Sequence, residues 1–471
     1  MSFYIPRALG SRFTALLHSY AQDDGLPFAS ALTEDDIQRA AVAEGVAFAL
    51  ADNDVYTPAI TLWGFIGQVL AGHKSCVAAV ARIIVLRIAM GLPPCSSNTG
   101  AYCKARPKLS ENFLRRLTYL VGSQLEDQAP AHWRWHNRRV LLADGTTCHL
   151  PDTAANQADY PQSRAQRRGL GFPMIRLVVL LTFATATIVG AAFGPYKGKE
   201  TGETALFRQL FAQLRAGDVV VADRYYCSYW MIALLVQQGV DVAFRLHQLR
   251  HYDFRRGRRL GPADHVVQWQ RPQRPRWMDQ ATYATMPETL TIRELRFNVD
   301  NPGFRTREII VATTLLDEHA YCKADIADLY HRRWHAELDL RAIKRTLGME
   351  HLTCKTPAMV RKELWAHFLG YNLVRKVAAQ AAWERGLCPR QISFAATVQT
   401  VAAFQALLLG SASEQRVSVC RQMFLAIAVH EVGDRPDRVE PRRVKRRQGN
   451  DYPTMNEPRA QARARLFNTA A

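Results

Sequence analysis

The sequence predicts an α/β protein: a mixed sheet with helices on its faces, an all-helical segment before it and more helices after it. Three observations carry this. Capped helical patterns fill the chain to about residue 135. Five short runs rich in Val, Ile and Leu then follow between residues 138 and 246, first in succession and then alternating with helices. A long helical pattern returns after residue 317. The chain has 471 residues and 48% hydrophobic content, enough for several packed cores.

The helical segment is read from its caps. Thr33 with Asp36 forms a capping-box pattern before DIQRAAVAEGVAFAL. Thr57-Pro58 places a cap and a first-turn proline before AITLWGFIGQVL. Ser75 caps CVAAVARIIVLRIAM, which stops at Gly91 and Pro93-Pro94, and Ser110 caps ENFLRRLTYLV. Lys104, Arg106, Lys108, Arg115 and Arg116 gather near its end. They point to DNA binding, although no helix-turn-helix is visible and short-helix packing gives the same pattern.

Strands are expected at 138–143, 175–183, 186–193, 218–222 and 241–246. A helix, ETALFRQLFAQLRAG, separates the third from the fourth, and YWMIALLVQQG separates the fourth from the fifth. The run from Ile175 to Pro195 is long enough to suggest a membrane span. Its Val, Ile and Thr content, with Ala-Thr-Ala in the middle, fits two buried strands and a tight turn better. From 247 to 316 the helical period disappears, and HVVQW, LTIRELRFNV and REIIVATTL read as a β-rich insertion. One helix is expected from about Ala324 to Leu347, closed by Gly348, and a second, apolar almost all round, from Pro357 to Gly386. The tail after about 433 is basic and reads as extended. No internal repeats are visible.

Lysine and arginine number 61 against 42 acids, a net charge of +19. A clustered surplus of this size suits a polyanion. Nine cysteines without a CxxC pair argue against a disulfide framework or a zinc ribbon and for a reduced, cytoplasmic protein. The first residues lack the apolar core and cleavage site of a signal peptide.

Three acids stand out. The runs VLLADGTT and VVVADRYY each end an apolar strand in Ala-Asp before a turn, at Asp144 and Asp223. Strand ends are where open α/β sheets place their sites. The third is Glu337. At about 100° per residue, Tyr330, Arg333, Glu337 and Lys344 share a stripe about 60° wide, beside the apolar stripe of Leu329, Ala336, Leu340 and Ile343. Taken singly, each aspartate is explained by a turn, and the stripe by Arg333–Glu337 and Glu337–Arg341 pairs on a solvated face. Together they suit two divalent cations, Mg²⁺ or Mn²⁺, whose hard oxygen ligands would be these carboxylates, with the cations of the stripe holding phosphates.

These residues resemble those of bacterial insertion-sequence transposases of the DDE superfamily, in the "insertion sequence four" family. Tyr330, Arg333, Glu337 and Lys344 fit its Tyr-Arg-Glu-Lys helix signature without a gap. Asp144-Gly145-Thr146 and Asp223-Arg224 fit its two aspartate contexts, and the β-rich insertion also matches. The resemblance spans roughly residues 30 to 390. It implies an RNase H-like core, metal binding by Asp144, Asp223 and Glu337, and cut-and-paste transposition. The enzyme would cleave at the element's terminal inverted repeats, often through a hairpin, and transfer strands into target DNA. It also implies a homodimer in the synaptic complex, nucleoid association and no membrane partner. Tyr330, Arg333, Lys344 and Arg224 would contact DNA, and Trp334 could stack on a displaced base. Arg255, Arg256, Arg258 and Arg259 would touch backbone phosphate, with a solvated turn as the other explanation, and Trp269 and Trp277 are weaker candidates.

The corresponding organisation is a helical DNA-binding domain at 1–135, a catalytic core at 136–246 and 317–390 split by the insertion at 247–316, and a C-terminal helical region with a basic tail at 391–471. The other readings are an RNase H-like nuclease without strand transfer and a catalytically decayed DNA-binding regulator. A zinc protease is disfavoured because His331 and His335 lie in HRRWH, not HExxH. A glycosidase is disfavoured because the charge suits phosphate over sugar.

Overall fold

In the computed structural model the structure describes residues 32–51, 53–89, 91–298, 308–411, 413–432 and 455–468. The basic run after residue 433 lies outside them up to residue 454.

One nine-stranded mixed sheet organises the chain, in the order β3-β2-β1-β4-β5-β9-β8-β7-β6. Strands β1 (Val140–His149), β2 (Met174–Thr182) and β3 (Ile188–Pro195) form an antiparallel meander. Strands β4 (Val219–Ala222) and β5 (Asp241–Arg245) then add in parallel beside β1. This order and these directions are those of the RNase H-like arrangement. The expected β2–β3 hairpin forms, with Ala186 at φ +59° in its turn. Among the described residues no helix is long and apolar enough to cross a membrane.

The insertion's strands extend this same sheet: β6 (Arg258–Gly261), β7 (Asp264–Gln270), β8 (Thr289–Asn298) and β9 (Glu308–Thr313). Strand β9 pairs antiparallel with β5, so the insertion is joined to the core by backbone hydrogen bonds. A buried Arg293–Asp264 pair ties β7 to β8.

The pleat sends alternate residues to two cores. Val140, Leu142, Val219 and Val221 face one cluster with Ala336, Leu340, Phe368 and Tyr371. Leu141, Ala143, Val220 and Ala222 face the other, with Leu206, Phe207 and Ile232. The helix Pro357–Glu384 lies on the first face and is buried without interruption from Glu363 to Ala382, as its all-round apolar pattern predicts. Each large side chain it buries contributes about 1.5–3 kcal/mol. Two of its buried polar residues are well paired: Glu363 accepts from Thr353 and Cys354, and Asn372 both donates to and accepts from Ile188 on edge strand β3.

The caps at Thr33, Thr57 and Ser110 form as read. Three expectations are corrected. The helix after β3 spans only Glu203–Arg208, followed by a 3-10 turn at Phe211–Gln213. Strand β1 does not end at Asp144 but runs on to His149, because β2 supplies it with partners as far as Met174. The glutamate helix is not continuous: it comprises Lys323–His331 and Trp334–Arg341, then a π turn at Ala342–Thr346. At the break the backbone tightens to i→i+3 bonds, from Arg333 to Tyr330 and from Ala336 to Arg333.

Candidate active site

The site lies where β4 stops. Strands β1 and β4 pair through Leu142↔Val221, and β4 ends at Ala222. Two residues further along each chain stand Asp144 and Asp223, level with one another. Asp144 keeps the facing of Leu142, so it points to the face covered by the helix Trp334–Arg341, which carries Glu337. Beyond Leu142, β1 keeps β2 on one side but has lost β4 on the other. This open edge leaves room for the acids.

Asp144 is strongly perturbed. Burial pushes its carboxyl up to about 7; the Arg333 guanidinium and the Gly145 N–H oppose this, while Glu337 and Asp223 add to it. The acids therefore lie within electrostatic reach of one another. Gly145 N donates to Asp144 at 2.9 Å, and Tyr225 N donates to Asp223 at 2.8 Å. Arg333 Nη2 donates to Glu337 Oε1. Burial opposes the Arg333 charge, but Tyr330, Glu337 and Asp144 outweigh it and hold its pKa above the ordinary value.

The remaining residues of the signature divide by role. Lys344, on the π turn, donates to Thr146 Oγ1 at 3.4 Å and stands 3.9 Å from Glu350. It is thereby set against the open edge two residues past Asp144. Tyr330 is only 5% exposed and packs near Phe297, with its phenol raised to about 12 chiefly by burial. Trp334 is 41% exposed at the start of the glutamate segment. Arg224 is half-buried and donates to Gln248 at 2.7 Å.

Asp339 was not singled out in the sequence, yet it fixes the glutamate segment. It accepts from Arg375 of the long helix and from Arg390, which also donates to Thr182 O and Phe183 O. Two further polar residues at the site were missed. Arg245 ends β5, the next parallel strand; burial lowers its pKa, as do Arg224 and Arg333, while Tyr330 and Asp223 oppose them. Glu203 lies against Gly145. The strand-end rule that found Asp223 would have found Arg245.

Several further candidates have partners within the protein. Trp269 is 4% exposed and donates to Glu294 at 2.8 Å beneath Arg250. Arg208 stacks over Trp277, and Arg255 and Arg256 pair with Asp253. Arg106 turns inward over Tyr102 and Phe65.

Among the described residues no three His, Cys, Asp or Glu side chains are gathered closely enough to share one ion. The Arg333 guanidinium, bonded to Glu337 and facing Asp144, stands among the acids. The donor set nevertheless fits a hard divalent cation: the ligands are carboxylate oxygens, and their mutual repulsion calls for positive charge.

The family profile described as "Transposase DDE domain" matches residues 135–373, a little over half the chain. The chain belongs to this family. It is a DNA transposase, an enzyme acting on DNA phosphodiester bonds, and its family works with divalent metal ions. It is 27% identical over 359 residues to the transposase InsG for insertion sequence element IS4 of Escherichia coli (strain K12), covering 75% of this chain and 78% of that protein. A putative transposase, InsZ, of the same organism is 22% identical over 148 residues, 28% of this chain and 48% of that protein. A solved piggyBac transposase synaptic complex with hairpin DNA aligns over 96% of this chain and 90% of its own at 10% identity, with a TM-score of 0.41, a distant likeness. The resemblance to the insertion-sequence-four family is borne out.

Proposed function

We propose that Asp144, Asp223 and Glu337 are the catalytic acids of this transposase and hold two divalent cations, Mg²⁺ or Mn²⁺. The transposase would cut DNA at the terminal inverted repeats of its own element and join the freed 3′-hydroxyl to target DNA. One observation supports this above the others: Asp144 and Asp223 come level where β4 ends, on the face covered by the segment that carries Glu337.

Asp144, Asp223 and Glu337 would hold the divalent ions, which would supply Lewis-acid polarisation of the scissile phosphodiester and acidify the attacking hydroxyl. The protein's own part is positioning. The rigid sheet fixes Asp144 and Asp223, and Asp339 fixes the helix of Glu337. Lys344, held against Thr146, and Arg333 offer cations to the backbone phosphates beside the reacting one. Arg224 extends that contact, and the Tyr330 phenol, which acts electrostatically on Arg333, supports it. Trp334 offers a ring on which an unpaired base can stack.

We further read 136–246 and 317–390 as one catalytic core interrupted by 247–316, with the helical segment before 135 as a DNA-binding unit and 391–471 as an accessory region. Joining two element ends calls for a homodimer in the synaptic complex, and the protein would act in the cytoplasm on the nucleoid.

Alanine at Asp144, Asp223 or Glu337 tests this reading. Each substitution should lower cleavage of end DNA by about 10³-fold or more and leave binding of that DNA, measured by gel shift, nearly intact. Loss of binding in all three would assign the acids a structural role instead.

A further inference from the structure

Strand β1 is open at its edge to both faces of the sheet, and Glu337 approaches it from only one of them. From the other comes the short helix Glu203–Arg208, which packs Leu206 and Phe207 into the second core. Gly145 follows Ala143 by two residues and so faces this side. A methyl group placed on Gly145 would stand 2.5 Å from Glu203 Cδ and 2.9 Å from Glu203 Oε1. The Glu203 carboxylate thus fills the space where a side chain beside Asp144 would be. This gives the glycine of Asp-Gly-Thr a physical reason: it admits a fourth acid.

An acid in a first helical turn ordinarily faces solvent or caps the helix. Glu203 makes no such cap, and it has no hydrogen-bond or ion-pair partner among the described residues. Its neighbour Glu200 is exposed and paired with Arg208. Burial, and then Asp223, raise the Glu203 pKa, while Arg176 opposes them.

A second, independent feature lies at the same place. Tyr226 is 0% exposed, and its hydroxyl has no hydrogen-bond partner. The charges that act on that phenol are Glu203, Asp144 and Asp223, in that order after burial, with Arg333 opposing. A buried hydroxyl left unpaired is costly, and in native structures it calls for an absent partner. Three carboxylates act on this donor, so the arrangement is completed when those carboxylates or their ligands shift toward it.

We infer that Glu203 is a fourth cation-holding acid, acting with Asp223 at the open edge of β1, and that the Tyr226 hydroxyl positions this pair. The inference rests on the proposed role of Asp144, Asp223 and Glu337. It adds a ligand from the opposite face of the sheet, so that the cations are held from both sides of β1.

The test is Mn²⁺ binding to the full-length protein without DNA, followed by the paramagnetic resonance signal of the free ion. Glu203→Gln should weaken binding at least about tenfold. Gly145→Ala, whose methyl displaces the Glu203 carboxylate, should weaken it similarly, and Glu200→Gln should leave it unchanged. Tyr226→Phe should weaken binding severalfold without lowering the metal-free melting temperature, because it removes an unpaired hydroxyl; a purely packing role would leave Mn²⁺ affinity unmoved. Wild-type affinity in both Glu203→Gln and Gly145→Ala, alongside lost binding in Asp144→Ala, would overturn the inference and leave the three-acid reading standing. Wild-type affinity in Asp144→Ala as well would overturn both.

Discussion

The Arg333 guanidinium donates to the Glu337 carboxylate one turn along the helix, and the same cation acts on Asp144. A side-chain cation therefore offsets the acids where divalent ions would otherwise do so. Arg333 occupies one Glu337 oxygen, Oε1, and so competes with an ion for it. Arg333→Gln should lower the metal-free melting temperature, because the carboxylates lose their counter-charge, and enlarge the rise produced by Mg²⁺. Thermal melting with and without Mg²⁺ measures both. An unchanged ion-induced rise would mean that Arg333 and the cations do not compete.

The Asp144 carboxyl, raised to about 7, sets a pH dependence. A carboxyl with a native pKa above its unfolded value of about 3.9 favours the folded state at low pH and loses that contribution as pH climbs toward the native value. In metal-free protein, Asp144→Asn should therefore melt above wild type at pH 8, and the difference should shrink as pH falls from 7 toward 4. Melting curves across that range decide it. A difference that grows toward acid pH would contradict the assignment.

Asp339 is buried between Arg375 and Arg390 two residues from Glu337. Asp339→Ala should cost about 3–5 kcal/mol, because it leaves buried guanidinium charge unpaired. Asp328→Ala, which removes a surface pair with Arg332, should cost about 1 kcal/mol or less. Urea unfolding of the two variants gives the comparison. Equal, small losses would show that Asp339 does not anchor the segment.

The two tryptophans should separate cleanly. Trp269→Ala should lose about 3–5 kcal/mol of stability through its core position. Trp334→Ala should lose about 1 kcal/mol or less of stability but about 1–3 kcal/mol of affinity for DNA with unpaired bases at the element end. Chemical denaturation and binding titrations read the two quantities. A stable Trp334→Ala protein with wild-type affinity would remove the stacking role.

The acids were legible in the sequence because two apolar strands stop in Ala-Asp and because one helical stripe mixes an acid with cations. The strand and helix limits around them were less so. Asp144-Gly145-Thr146 has turn chemistry, yet it stays extended because β2 pairs with it from Val179 to Leu177. No glycine or proline marks the helix break at Arg332 or the π turn at Ala342–Thr346, so local propensity gave no sign of either. Glu203 escaped notice because an acid in a first helical turn has an ordinary explanation, and only its contact with Gly145 reveals where the carboxylate lies. Asp339 and Arg375 are 36 residues apart in sequence, and only the fold brings them together.

The most direct test of the central claim is cleavage of labelled DNA carrying the gene's own flanking sequences, with Mg²⁺ or Mn²⁺, by wild type and by Glu337→Gln. The account predicts metal-dependent 3′-hydroxyl ends at the element boundary with wild type and none with the variant. Equal cutting by both proteins, or binding without any cutting in either metal, would contradict it.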